Sequence, residues 1–380
     1  MRIGFEAKRA THNFRGLGNY SRGIVEGLIE YGPKQELFLY VPPVKNHKGK
    51  EWIESLQGKV HVRLPDSFLG KSFSPIWRSF LIADDIKKEK LDIFHGLSHE
   101  IPMRLDSLPV KKVVTMHDLI YLRYPEFFPW IDRVVYSQKF SYACKHSDMV
   151  IAICEQTKED LIRFLKVDEK KIRVHYQSCS PLFYDQLPGD KLQDVKTKFQ
   201  LNKPFILNVG AFEERKNQLT LLEAYALASS KIEADLVLVG QGKAYKDRVV
   251  QRVAELNLGQ RVKVLNSVHH EELPALYQAA DLFCFPSLFE GFGIPIVESL
   301  FSRTPVITSH GSVFPESAGP DAVYVDPLSV QSIADAIIQV SGNASLREKM
   351  ISGGLEYVQR FHRRDSTLKL MDLYSQVLTH

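Results

Sequence analysis

Short runs of consecutive apolar residues, each followed by a polar or glycine-bearing turn and then a helical segment, restrict the fold of this chain most. Asp235-Leu-Val-Leu-Val-Gly240, Met149-Val-Ile-Ala-Ile153 and Asp281-Leu-Phe-Cys-Phe285 read as buried strands. The same reading places strands at residues 2–7, 37–41, 60–64, 91–95, 112–116 and 172–175, then at 204–209, 261–265, 305–308 and 322–326. Helices are expected at 20–30, 75–88, 132–145, 218–228, 244–257, 271–280, 332–340, 345–360 and 367–377. In the last of these Leu368, Met371, Leu373 and Tyr374 are the expected apolar anchors. Residues 11–20 are expected as a loop. Alternating strands and helices imply parallel, doubly wound sheets. Residues 180–201 carry Pro181, Pro188, Gly189 and several charges, so the domain boundary is expected there. That gives residues 1–185 as one domain and 200–362 as a second.

The chain has 380 residues and a net charge of +4. Residues 1–185 hold 29 Lys and Arg against 23 Asp and Glu, a net of +6, so the basic excess lies wholly in the first half. This balance suits a solvated surface, an anionic acceptor or a membrane face, and no nucleic-acid motif accompanies it. The four cysteines form no C-x-x-C pair, and three of them, in or near apolar runs, read as buried thiols in a reducing cytoplasm. The charged N-terminus does not read as a signal peptide, and no run reaches the length of a membrane span.

Chemistry is concentrated in Glu290-Gly-Phe-Gly-Ile-Pro-Ile-Val-Glu298, directly after a buried strand. Gly291 and Gly293 let backbone approach a ligand, and Pro295 suits the first helical position, so a helix is expected to start near it. The start of that helix offers unpaired N–H groups to a phosphate. Glu290 and Glu298 are natural acceptors for sugar or ribose hydroxyls. Arg215 and Lys216 stand between a strand ending at Gly210 and the next helix. There they either form an exposed charge pair or hold a diphosphate and neutralise it as it leaves. In the first half, Gly16 and Gly18 form either a plain turn or an anion-binding loop before a helix. His117 and Asp118 end a strand, where ligands of open sheets gather. The histidine either orients a hydroxyl or is satisfied by local backbone. Residues 121–130 form an aromatic, proline-marked loop, either an acceptor platform or a hydrophobic flap.

These residues together resemble the retaining glycosyltransferases of family 4, which carry an E-x7-E signature and the GT-B fold. The resemblance implies two Rossmann-like domains facing a cleft, with the final helix, residues 364–380, crossing back to the first. It implies that Glu298 holds the ribose of a nucleotide sugar. Glu290 would meet the transferred sugar, with N–H groups near Phe292, Gly293 and Ile294. Arg215, Lys216 and Asn217 are similar to the family's R-K-N donor motif. Gly210, Gly242 and Leu265 would line the donor, with the nucleobase near the last two, and Gly16 and Gly18 would meet its diphosphate. His117 and Asp118 would line the acceptor side. Phe314-Pro-Glu316 resembles a structural turn of the family. The chain departs from the pattern at Gln177-Ser178, Asn266 and residues 361–364.

The implied reaction moves a sugar from a UDP- or GDP-linked donor to a saccharide or lipid-linked acceptor, with retention and no metal or other cofactor. Its setting would be glycan or surface polysaccharide synthesis, in the cytoplasm, with possible peripheral membrane contact. A nucleotide-sugar epimerase of the same fold and a non-catalytic nucleotide-sugar binder are the alternatives. A dinucleotide-dependent oxidoreductase does not fit, since neither half has the full glycine fingerprint.

Overall fold

The computed structural model describes residues 1–379 and divides the chain into two units, Met1–Ser178 with His362–His380, and Cys179–Phe361. The division falls directly before the expected boundary at residues 180–201. The proline-marked stretch is not a bare linker, for residues Gly189–Lys198 form a helix of the second unit.

The first unit is built on seven strands: β1 (Arg2–Glu6), β2 (Glu36–Tyr40), β3 (His61–Arg63), β4 (Ile93–Gly96), β5 (Lys111–Met116), β6 (Met149–Ala152) and β7 (Ile172–Val174). Their order is β3-β2-β1-β4-β5-β6-β7, and every pair is parallel. The second unit has β8 (Phe205–Val209), β9 (Asp235–Val239), β10 (Val262–Leu265), β11 (Leu282–Phe285), β12 (Val306–Ser309) and β13 (Val323–Val325). These run β10-β9-β8-β11-β12-β13, again all parallel. Strand β11 is buried at all four positions, as the unbroken apolar run requires.

The final helix, Arg363–Thr379, belongs to the first unit. Its buried face is Leu370, Met371, Tyr374 and Val377, packed with Ile3, Phe5, Val25 and Leu28. Tyr374 is fully buried and its hydroxyl lies 2.6 Å from His95 Nδ1. Leu368, expected as an anchor, is 40% exposed, because the buried stripe recurs at positions 370, 374 and 377 and position 368 falls outside it.

Other differences have local causes. The helix expected at 75–88 is interrupted by a π-helical turn, Trp77–Leu81, between helical Ser74–Ile76 and Ile82–Glu89. The aromatic loop at 121–130 contains a helical turn, Ile120–Arg123, and a 3-10 turn, Pro125–Phe127. The helix Trp130–His146 buries only Phe140, Ala143 and Cys144, all in its second half, and leaves Trp130 66% exposed along with Ile131, Val134 and Val135. All four cysteines are buried thiols, and no disulfide joins them. Among the described residues no helix is long and apolar enough to cross a membrane.

Truncating a fully packed aromatic side chain leaves a cavity costing about 3–5 kcal/mol, whereas an exposed leucine contributes about 0.5 kcal/mol or less. Urea unfolding of Tyr374→Ala and Leu368→Ala should show that contrast. Equal losses would place the wrong face of the last helix against the core.

Candidate active site

In the second sheet the strand order reverses between β8 and β11. The loops leaving the carboxyl ends of these two strands meet, and both candidate clusters of the sequence lie on them. After β8 the chain makes a 3-10 turn, Glu214–Lys216, and then Asn217 takes a left-handed conformation with φ 62°. Asn217 Nδ2 donates to the carbonyls of Pro286 at 3.0 Å and Pro327 at 2.7 Å. Leu288 N–H donates to the Arg215 carbonyl at 2.8 Å. The two loops are therefore tied by backbone and amide before any charge is counted.

The charges then converge on Glu290, which is almost wholly buried. Lys216 Nζ donates to its Oε1 at 2.6 Å, Arg215 Nη1 lies 2.8 Å from the same oxygen, and Ser287 Oγ lies 2.7 Å away. Arg215 Nη1 also donates to the Phe289 carbonyl at 2.6 Å. Burial alone would raise the Glu290 carboxyl, but Arg215 and Lys216 outweigh it and bring its pKa down to about 2. Burial lowers the Lys216 ammonium and Glu290 opposes that shift. Lys216 Nζ also sits 5.0 Å from the centre of the Phe285 ring.

Glu298 is buried as deeply, but among the described residues no cation pairs with it. Its recorded partner is the Tyr277 hydroxyl, which donates to Oε2 at 3.2 Å. Burial pushes its pKa up to about 8, with the tyrosine bond opposing only weakly. At neutral pH in the ligand-free protein this carboxyl is therefore largely protonated. Its helix, Ile294–Phe301, begins one residue before Pro295, and Gly293 precedes it with φ 93°, a conformation that side chains resist. Phe292 is buried, and Ile294 N–H is a first-turn amide without a helical partner of its own. Gly210 follows β8 directly, Gly242 packs against Phe212, and Leu265 ends β10.

The first-unit candidates are arranged differently. Gly16 and Gly18 are not in a loop: the helix Gly16–Tyr31 starts at Gly16, after a short helix, Lys8–His12. A Cβ on Gly18 would lie 1.6 Å from the Asn13 carbonyl oxygen, so close packing already accounts for that glycine. His117 is buried, with Nε2 2.8 Å from the Leu97 carbonyl and Nδ1 2.9 Å from Gln177 Nε2. Burial brings its pKa down to about 3. With both ring nitrogens engaged and the imidazole neutral, His117 in this conformation has no nitrogen left for an acceptor hydroxyl. Gln177, noted only as a departure from the family pattern, is one of the groups that holds it. Asp118 Oδ1 accepts from Ile120 N–H at 3.1 Å and so supports the turn that follows.

The sequence reading gave no role to Ser287 or Tyr277, and it placed Asn217 only within the donor motif, not as the residue that ties the two loops. Asn217 carried the clearest signal, since asparagine is a favoured non-glycine residue in the left-handed region.

The raised Glu298 pKa has a stability consequence. Between the unfolded value of 4.5 and about 8 the folded state binds more protons at this group, so its contribution falls as pH rises. Glu298→Gln removes that loss. Its stability relative to wild type should climb between roughly pH 5 and 8, by at most about 1.4 kcal/mol per pH unit. Taking the difference cancels the buried histidines, whose lowered pKa values act in the opposite direction. Parallel pH profiles of thermal unfolding would contradict this.

Residues 190–356 match the family described as glycosyl transferases group 1, and residues 14–178 match Glycosyltransferase Family 4. O-antigen chain mannosyltransferase B of Escherichia coli is 28% identical over 387 residues, covering 98% of this chain and 99% of that one. Among solved structures, sucrose-phosphate synthase from Thermosynechococcus elongatus superposes with a TM-score of 0.79 at 20% identity, over 100% of this chain and 99% of that one. Anabaena Alr3699/HepE, solved in complex with UDP and glucose, gives 0.75 at 19% identity, over 99% and 100%. With one match on each unit and the GT-B architecture throughout, the chain belongs to the family 4 glycosyltransferases.

Proposed function

We propose that this glycosyltransferase moves a mannosyl residue from a nucleoside diphosphate donor to a saccharide hydroxyl, with retention at the anomeric carbon. The choice of mannose draws on the mannosyltransferase relatives, and an O-antigen-like glycan is the corresponding product class. One observation carries the donor assignment: Arg215 and Lys216 converge with Glu290 at the reversal point of the second sheet.

In the reaction the bond between the anomeric carbon and the donor phosphate oxygen breaks. The acceptor oxygen bonds to that carbon on the same face, and its proton passes to the departing phosphate. Negative charge builds on the diphosphate, where the Arg215 guanidinium and Lys216 ammonium neutralise it. No metal or other cofactor is assigned to this step; the two cations supply the neutralisation. Glu290, held ionised by its neighbours, accepts hydrogen bonds from sugar hydroxyls and does not act as an acid. Glu298, with Tyr277 on one oxygen, meets the ribose. In the ligand-free protein Glu290 holds the cations that the diphosphate needs, so donor binding redistributes this charge cluster.

Peripheral contact with the cytoplasmic face of a membrane is part of the same proposal. Exposed Phe73, Ile76 and Phe80 on one segment, and exposed Trp130, Ile131 and Val134 on another, support it. The basic excess of residues 1–185 has the matching sign for anionic lipid.

Losing one charge contact to a leaving group costs about 3 kcal/mol. Lys216→Ala should therefore lower turnover more than tenfold while the protein remains folded, and near-normal turnover would remove the assignment. A thermal-shift panel of UDP, GDP and ADP identifies the base. A ligand at 100 times its Kd adds about 2.7 kcal/mol, so silence across the panel would count against a donor site here.

A further inference from the structure

The first sheet also has a reversal point, and it holds charges that the transfer step above does not use. After β1 the chain lays down β2 and β3 on one side, then places β4 on the other. Ligands of open parallel sheets bind outside the carboxyl ends of strands at such a reversal. In the second sheet that rule leads to Lys216 and Glu290. In the first sheet it leads to Glu6, the last residue of β1, and to Glu100 in the loop after β4.

Glu6 is 5% exposed and is gripped by Arg78, with Nε 2.7 Å from Oε1 and Nη2 3.0 Å from Oε2. Arg78 Nη2 reaches on to Glu100 Oε2 at 3.4 Å, and Lys139 Nζ lies 3.1 Å from Glu100 Oε1. The guanidinium comes from the π-helical turn Trp77–Leu81, a backbone irregularity that recurs at functional sites. Lys8 lies near this pair. Burial, and next the charge of Arg78, lower its ammonium from the ordinary lysine value. Arg9 precedes by one residue the buried Ala10 on the same short helix as Lys8, and its charge acts on Lys8, His99 and His117, so it lies near them. Among the described residues neither Lys8 nor Arg9 has an ion-pair partner. Four cations thus share two carboxylates. Glu6 and Glu100 favour the Lys8 ammonium, but Arg78 and Lys139 already engage both, so the half-buried charge gains from a further anion.

We propose that this crevice binds a phosphate group carried by the acceptor saccharide. Lys8 and Arg9 take its oxygens, Arg78 adds charge while Glu6 fixes its orientation, and the partly exposed Glu100 accepts a neighbouring sugar hydroxyl. That the phosphate belongs to the acceptor rests on the transferase reading above; that the crevice binds phosphate does not.

Calorimetric titration of inorganic pyrophosphate into wild type, Lys216→Ala and the double variant Lys8→Ala/Arg9→Ala separates the two units. Lys8 and Arg9 are half-buried surface cations, and an unchanged Tm checks that the double variant is folded. The expected result is a first-unit site that survives Lys216→Ala and is weakened at least tenfold in the double variant. An isotherm unchanged in the double variant overturns the proposal. Insensitivity to Lys216→Ala would instead count against the donor site, and the two failures are distinct. Competition then identifies the source of the phosphate. A soluble sugar 1-phosphate that displaces pyrophosphate from the Lys216→Ala protein assigns a free phosphorylated saccharide. Displacement only by the same sugar on a short prenyl diphosphate assigns a lipid-linked one. Displacement by neither overturns the acceptor assignment.

Discussion

A carboxylate taken almost entirely out of water has to find cations, and that requirement at Glu290 organises the second unit. An unpaired carboxylate at this depth would take up a proton; the paired one is held ionised by Arg215 and Lys216. Lys216 and the carboxylate are 74 residues apart in the chain. Only the parallel pairing of β8 with β11, in the register Leu282 to Ile206 and Phe283 to Leu207, brings their loops together. The left-handed turn at Asn217 and its two amide bonds then fix the aim of the side chains. The sheet, the turn and the ion cluster are one construction, in which each level is needed by the next.

Eight residues further on, Glu298 shows how much environment decides. It is the same residue type at similar burial, yet its pKa is pushed toward about 8 while that of Glu290 is held near 2. The difference is the presence of two cations against a single tyrosine hydroxyl. Two carboxyls pushed apart in this way are suited to different tasks. Glu290 is a fixed anion that accepts hydrogen bonds. Glu298 can change protonation state when its surroundings change, so a ligand that prefers the carboxylate would release a proton on binding.

Much of this was legible in the sequence because apolar runs and turn residues act locally. The run before Glu290 had to be a buried strand, and Pro295 placed the helix that carries Glu298 to within one residue. What could not be read were outcomes of tertiary packing. Nothing in residues 75–88 announces that the helix widens to a π turn and sends Arg78 back to Glu6. Leu368 is as hydrophobic as Leu370, and only the angle at which the last helix meets β1 and the helix Gly16–Tyr31 selects between them. His117 was placed at the correct strand end. Its chemistry depended on Leu97 and on Gln177, which lies 60 residues away and reaches its ring nitrogen.

The two sheets place charged groups at equivalent topological positions, and the comparison separates what stability needs from what function needs. A buried ion pair gives little net stability, because desolvation offsets most of the attraction, and apolar replacements are often as stable. Packing alone therefore has no use for Lys216 with Glu290, or for Arg78 with Glu6. Each pair stands at the carboxyl end of the strand where its sheet reverses, and each is accompanied by further positive charge. In the second unit that charge is Arg215, which shares the carboxylate. In the first it is Lys8 and Arg9, which among the described residues form no ion pair and lie beside carboxylates already engaged by Arg78 and Lys139. The same fold thus leaves one crevice with its cations drawn inward around an anion already present, and the other with an unsatisfied positive field, which is the arrangement that recruits an anion from solution.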